Sequence, residues 1–220
     1  MKQRERQARS RQEIYQAALE EFGASGYENT KMEAICTRHG ISKGMMYHYY
    51  SGKDDLFLLC VGRTFEELKA GVEARIPALA DKAPPEAIRE FFLLREVYFQ
   101  DHPQQKQIFE CAMLRPPAHL QAQIRQLRAP LQQLNRRFLA QQLEKLPLRP
   151  GLHRDRAIKY LESAEYCFRG ALDTYCEQQD GADLHTLLTA SGELLDMILF
   201  GIFCPSPEQD PHTSLTTDKE

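Results

Sequence analysis

The stretch that decides the fold is residues 30–56, TKMEAICTRHGISKGMMYHYYSGKDDL. Two short segments with helical spacing of apolar residues flank the sequence HGIS at 39–42. Within that turn, Gly40 supplies a left-handed backbone and Ser42 caps the helix that follows. Met46 is spaced to face inward. The pattern predicts a helix-turn-helix.

The composition of the other residues favours helices throughout. The chain of 220 residues contains 27 Leu but only 3 Val, and β-branched residues are the ones on which sheets draw. We therefore expect an all-α fold of about nine helices, with a three-helix N-terminal helix-turn-helix domain and a larger helical bundle. The expected boundaries are 1–53 for the first domain and 54–203 for the second, with a disordered tail at 204–220.

Capping residues and breakers predict where helices begin and end. The predicted starts are the capping boxes Ser10–Glu13 and Thr30–Glu33, the cap Ser42, and the cap Ser51 with Asp54. The N-terminal dozen residues are expected to fray, and the first helix, which carries Ile14 and Phe22, is expected to stop at Gly23 or Gly26. Pro130 should kink or split the helix of about 118–146.

Charge is distributed unevenly along the chain. Residues 1–53 hold nine Lys or Arg against six Asp or Glu, whereas residues 54–220 hold 19 against 25. A basic head on an acidic body suggests that the head meets a polyanion. The alternative interpretation is a solvated basic tail.

Several classes of protein are disfavoured. The most apolar stretch, 194–203, is too short for a membrane span, and the N-terminus lacks the apolar core of a secretory signal. The six cysteines are far apart with no Cys-x-x-Cys, which is typical of reduced thiols in a cytoplasmic protein. Cys36 and Cys60 are interpreted as small core residues.

The third helix has the surface of a DNA-reading element. Lys43 and His48 can donate to base edges or phosphates, and Met45 can meet thymine methyl groups. Gly44 permits close approach. Its cost of about 1 kcal/mol relative to alanine fits a steric purpose.

Residues 14–56 resemble the DNA-binding domain of TetR-type transcriptional repressors. The first part of the matching pattern is A-x-x-x-F-x-x-x-G-Y-x-x-T at 18–30. The second part is I-x-x-x-x-G-I-S-K-G-x-x-Y-x-Y-Y-x-x-K-x-x-L at 35–56. Two departures from the family pattern, at Tyr49 and Tyr50, are mild.

The resemblance implies a function and a set of DNA contacts. It implies a ligand-responsive regulator, a repressor in the simplest case, that binds a near-palindromic DNA operator as a homodimer and is released by a small, largely apolar effector. The implied phosphate contacts are Thr30, Lys31, Tyr47, Tyr49 and Lys53. The implied base contacts are Lys43, Gly44, Met45 and His48, and Ser42 completes the predicted interface.

The last two predicted helices have broader apolar faces than one neighbouring layer would bury, which suggests a dimer four-helix bundle. The residues expected there are Leu172, Tyr175, Leu188, Ser191, Leu195, Ile198 and Ile202. A central core helix is the alternative interpretation.

Two charges within inward-facing aromatic stripes, Arg95 and Glu165, suggest an effector pocket, because an unpaired buried charge is costly. The further expected walls are Phe92, Tyr98, Phe99, Phe109, Met113, Tyr166 and Phe168. A structural Arg–Glu pair, or an arginine that reaches the surface, would explain the same pattern.

Motifs of enzymes are missing from the sequence. It contains no phosphate-binding glycine loop, H-E-x-x-H or nucleophile elbow, and its histidines lack metal-site spacing. We therefore predict no enzymatic activity, no cofactor, no metal and no membrane partner. A helical domain of the same fold that acts through a protein partner, without specific DNA binding, remains the alternative function.

Overall fold

The computed structural model describes residues 2–160 and the single positions 197 and 201. Its α-helices are α1 (Lys2–Asn29), α2 (Met32–Arg38), α3 (Lys43–Tyr49), α4 (Lys53–Glu73), α5 (Pro84–Gln100), α6 (Pro103–Leu114) and α7 (Gln121–Glu144). Short 3-10 segments lie at Ile76–Leu79 and Ala118–Leu120, and residues 154–160 are also helical. The all-α prediction is confirmed, and these seven helices are the first seven of the nine expected.

The predicted start of α1 is wrong. The helix runs from Lys2, so Ser10 lies inside it and residues 2–9 are helical rather than frayed. Gln, Arg and Glu are good helix formers, and Arg9 Nε pairs with Glu13 Oε1 one turn later at 2.9 Å. The predicted stop is correct at Gly26, where φ is +70°.

Two of the other predicted caps are also wrong. Thr30 does not cap α2, because its hydroxyl donates to the carbonyl oxygens of Gly26 at 2.7 Å and Glu21 at 3.2 Å. At the start of α4, the backbone N–H of Ser51 donates to Asp55 rather than to Asp54, at 3.0 Å. The hydroxyl of Thr30 instead satisfies a backbone carbonyl at the end of α1, and the carboxylate of Asp54 is bonded to the side chains of Tyr27 and His119.

The predicted cap of α3 and the predicted split at Pro130 had different outcomes. Ser42 Oγ accepts from the backbone N–H of Met45 at 3.1 Å, so this predicted cap is confirmed. The helix α7 continues through Pro130 as a single element of 24 residues, so the predicted split does not occur. Buried residues that follow the proline, including Leu131 and Leu134, hold that part of α7 in the core.

The head, α1 to α3, is joined to the body by packing of α1 against α6 and of α4 against both α1 and α7. Phe22, Tyr27 and Phe57 form the aromatic centre of this junction, with ring centroids 5.1 Å apart for Phe22–Phe57 and 4.9 Å for Tyr27–Phe57. At Gly23, α1 approaches α6 so closely that an added Cβ would lie 2.7 Å from the Cβ of Gln104.

A polar network also joins head and body. The Tyr27 hydroxyl donates to Asp54 Oδ1 at 2.5 Å, and His119 Nε2 lies 2.9 Å from Asp54 Oδ2. Burial and the hydrogen bond to Asp54 raise the pKa of Tyr27, and the same hydrogen bond lowers the pKa of Asp54. Asp54 therefore remains ionised in the folded protein at neutral pH.

We expect Gly23→Ala to destabilise the protein, because the new methyl group meets the Cα and Cβ atoms of Gln104, which cannot move without α6. Overpacking of this kind costs about 1–3 kcal/mol. The control is Gly44→Ala, where an added Cβ meets nothing within 4 Å, and it should stabilise the protein by about 1 kcal/mol. Urea unfolding of both variants measures the two effects, and equal shifts would contradict the close approach.

Asp54→Asn should lower the free energy of unfolding by about 1 kcal/mol at pH 7, because the half-exposed carboxylate loses its charged hydrogen bonds. The contribution of Asp54 is present above its ordinary pKa of 3.8 and is lost as pH falls through its lower folded-state pKa. The difference between wild type and variant should therefore shrink in acid. Asp81→Asn, at an exposed position, is the matched control for the loss of one carboxylate.

Candidate nucleic-acid interface

The turn before α3 has the geometry that its sequence predicts. Gly40 adopts φ +65°, Ile41 is 7% exposed between the helices, and Ser42 caps α3. Met46 is fully buried and anchors α3 to the head, as predicted. The turn thus fixes the direction of α3 and leaves its opposite face to solvent.

A buried carboxylate that the sequence did not identify holds the end of α2. Glu21, 7% exposed, accepts from Arg38 Nη1 at 2.8 Å, and its other oxygen lies 3.3 Å from His39 Nε2. These partners are separated from it by 17 and 18 residues. Local spacing therefore offered no signal for this cluster, which ties α1 to the turn.

The exposed face of α3 brings together most of the predicted base contacts. Lys43, Gly44, Tyr47 and His48 are exposed, and Tyr47 has 49% of its surface accessible. Lys31, at the start of α2, is exposed as well. This polar surface, with no acidic side chain between residues 34 and 53, suits an anionic partner.

Met45 and Tyr49 are less available, because each is half-buried and packs partly against the core. Tyr49 instead carries a cation on its ring: the Arg11 guanidinium lies 5.2 Å from its centroid. Arg11 was not among the predicted contacts. The excess of cations in the first eleven residues was the available signal.

Two predicted phosphate contacts are engaged within the protein. Thr30 is buried, with its hydroxyl bonded to backbone carbonyls. Lys53 Nζ donates to the carbonyl of Tyr27 at 3.0 Å and lies 4.1 Å from the centroid of the Tyr27 ring. Both side chains stabilise the end of α1 in this structure.

The predicted effector pocket is described only in part. Arg95 is buried, and it donates to Asn135 Oδ1 at 2.6 Å and to the Phe91 carbonyl at 2.9 Å. Its guanidinium also lies 4.9 Å from the ring centroid of Phe92. Burial lowers the pKa of Arg95 to about 10, so it remains a cation at neutral pH. Arg95 does not reach the surface, which excludes the alternative interpretation of an arginine that extends to solvent.

Three of the expected pocket walls pack against one another. Tyr98, Phe99 and Phe109 are buried, with centroid distances of 5.3 Å for Tyr98–Phe99 and 5.0 Å for Phe99–Phe109. Phe92 and Met113 are half-buried. A cavity of about 190 Å³ lies between α6 and α7, and the predicted walls do not line it; its lining is Ala112, Pro116, Gln121, Ile124, Arg125, Arg128 and Gln132.

The remaining predicted pocket and dimer residues lie outside the described part of the chain. They are Glu165, Tyr166, Phe168, Leu172, Tyr175, Leu188, Ser191, Leu195, Ile198 and Ile202. Within the described residues, Cys36 and Cys60 are buried as predicted. None of the helices in that part has both the length and the hydropathy needed to cross a membrane.

Comparison with known proteins agrees with this geometry. Residues 14–60 match the family model described as bacterial regulatory proteins of the tetR family. The transcriptional regulator RutR of Escherichia coli K12 is 30% identical over 101 residues, which are 46% of each chain. The chain therefore aligns with about half the length of this relative. The relative is a transcriptional regulator, in agreement with the prediction that the chain is not an enzyme.

Solved structures share the fold over most of the chain. The fatty acid degradation regulator FadR of Bacillus halodurans has a TM-score of 0.60 at 14% identity, over 84% of this chain and 96% of its own. FadR of Bacillus subtilis, solved in complex with stearoyl-CoA, has a TM-score of 0.57 at 16% identity, over 87% of this chain and 98% of its own. The match to the tetR-family model covers residues 14–60, and these solved structures share the fold of the chain.

Proposed function

We propose that this chain is a ligand-responsive transcriptional regulator, a repressor in the simplest case, that binds a near-palindromic operator as a homodimer in the cytoplasm. The observation that carries the proposal is the exposed face of α3, where Lys43, Tyr47 and His48 surround Gly44. A helix of this width and polarity fits the major groove, and backbone groups of Gly44 can approach base edges without a side chain between them.

The proposal divides the chain by role. Residues 1–53 bind DNA, residues 54–203 bind effector and form the dimer through the last two predicted helices, and residues 204–220 form a tail. In a symmetric dimer, two copies of α3 would enter successive major grooves about 34 Å apart. The two-fold symmetry of the dimer is the reason for expecting a near-palindrome, and the groove spacing sets the distance between its half-sites.

We further propose that the effector is apolar with an anionic group, and that Arg95 recognises that group. Two observations support this. The neighbours of the Arg95 guanidinium in the described residues are an amide oxygen, a carbonyl and two phenyl rings, all uncharged. FadR of Bacillus subtilis, which has the same fold, was solved with a ligand that combines a long acyl chain and anionic phosphates.

Tyr47→Ala should weaken binding to every DNA sequence about 10-fold, or about 1.4 kcal/mol, because a phosphate contact carries no base preference. Tyr160→Ala is the matched control, since Tyr160 is 51% exposed and lies in the body.

Lys43→Ala should instead change the preferred base at one position of each half-site, by about 1–3 kcal/mol of discrimination.

The measurement is selection from a random duplex pool by the full chain, followed by titration of the selected duplex. If wild type enriches no sequence, specific DNA binding fails, and a partner-protein function becomes the better account. If Tyr47→Ala and Tyr160→Ala bind the selected duplex equally well, the assignment of the α3 face is wrong.

Arg95→Met should abolish the response to effector and leave operator affinity within about 2-fold, because the variant keeps the volume of the side chain and removes its charge. Arg137→Met, at an exposed position on α7, is the control for the loss of one positive charge.

The effector is first identified by native mass spectrometry of the purified wild type, and release of the selected duplex is then titrated with that compound. Release of DNA by Arg95→Met at the wild-type concentration would show that Arg95 is structural. Circular dichroism melting of the variant distinguishes a lost response from a lost fold.

A further inference from the structure

The first three turns of α1 bury nothing. Side chains 3–13 are exposed apart from the half-buried Ser10, and the first core residue is Ile14. This segment, which we call the arm (residues 2–13), continues the rigid axis of α1. Packing therefore does not account for its sequence.

Cations on the arm lie on two different faces. Arg4 and Arg11 are seven residues apart, or two turns, so they share one face. That face is aligned with Ala18 and Phe22 of the core side, whereas Arg6 and Arg9 lie on roughly the opposite side of the helix. Arg9 is also paired with Glu13.

The Arg4–Arg11 face is next to the recognition helix. The Arg11 guanidinium lies over the ring of Tyr49, the last residue of α3, at 5.2 Å from the centroid. Arg4 lies about 10 Å further along the helix axis, at a rise of 1.5 Å per residue. The C-terminal end of α3 therefore adjoins a row of two arginines.

We propose that Arg4 and Arg11 form a second DNA contact, which binds the phosphate backbone just outside the half-site that α3 reads. The proposal rests on the proposed function, and it extends the length of DNA that each protomer contacts. Duplex DNA presents one negative charge per about 1.7 Å of helix axis. A DNA backbone that passes Tyr49 at the end of α3 therefore offers phosphates along the whole arm.

The composition of the arm favours DNA over a lipid surface. An interfacial helix needs an apolar face to insert, and Ala8 is the only apolar residue between positions 3 and 13. The arm has cations without an apolar face, which is what phosphate contacts require.

The test compares two lengths of the duplex that the full chain selects. The short duplex ends at the outer edges of the half-sites, and the extended duplex continues by about one helical turn, roughly 10 bp, on each side. Wild type should bind the extended duplex more tightly. Arg4→Gln should remove that preference and reduce the slope of log K against log salt by about 0.9 for each protomer. Arg6→Gln has the same charge change on the opposite face and should retain the preference for the extended duplex.

Both replaced side chains are exposed, so neither variant should alter the fold, and circular dichroism checks this. Equal effects of Arg4→Gln and Arg6→Gln, or no length dependence in wild type, would overturn the second contact while the proposed function stands. Failure of wild type to select any sequence would overturn both. If Arg4→Gln loses the preference for the extended duplex and Arg6→Gln keeps it, the second DNA contact is supported.

Discussion

The break of α1 at Gly26 is the constraint on which the rest of the head depends. Its φ of +70° ends the helical path and turns the chain toward α2. The break leaves carbonyl groups without helical partners, and two side chains satisfy them: the hydroxyl of Thr30 bonds to Gly26, and the ammonium of Lys53 bonds to Tyr27. The next residue, Tyr27, is then directed into the aromatic junction.

Energetics explain why Thr30 and Lys53 are held there. An unpaired buried carbonyl costs about 1–3 kcal/mol, whereas a contact between an exposed side chain and a phosphate is gained only when DNA is present. The free protein therefore uses both side chains internally. The ammonium of Lys53 has three N–H donors, so its bond to Tyr27 leaves a donor for a phosphate in a DNA complex.

Local chemistry made the turn and α3 predictable from the sequence. Gly40 acts through its own backbone angles, Ser42 caps a residue three positions later, and helical spacing alone placed Met46 on the inward face. The cluster around Glu21 was not predictable, because its partners are 17 and 18 residues distant. The capping box at Thr30 failed for a different reason: its hydroxyl donates to the carbonyl of Gly26, four residues earlier, which the break of α1 leaves without a helical partner.

For Arg95, the sequence pattern predicted the burial of the side chain but not its hydrogen-bond partner. Its place in an aromatic stripe correctly indicated that the charge is buried. The stripe could not identify its partner, because Asn135 is 40 residues away on α7. Among the described residues, an amide oxygen, a backbone carbonyl and two phenyl rings surround the guanidinium, and none of them carries a charge.

The apolar link and the polar link between head and body differ in the free energy that it costs to break them. The Phe22–Phe57 contact excludes water, so separating these rings exposes apolar surface at about 25 cal/mol per Å². The Tyr27–Asp54–His119 network is partly exposed, and water can replace its hydrogen bonds at a smaller net cost. The junction therefore combines an apolar contact that excludes water with a half-exposed polar link.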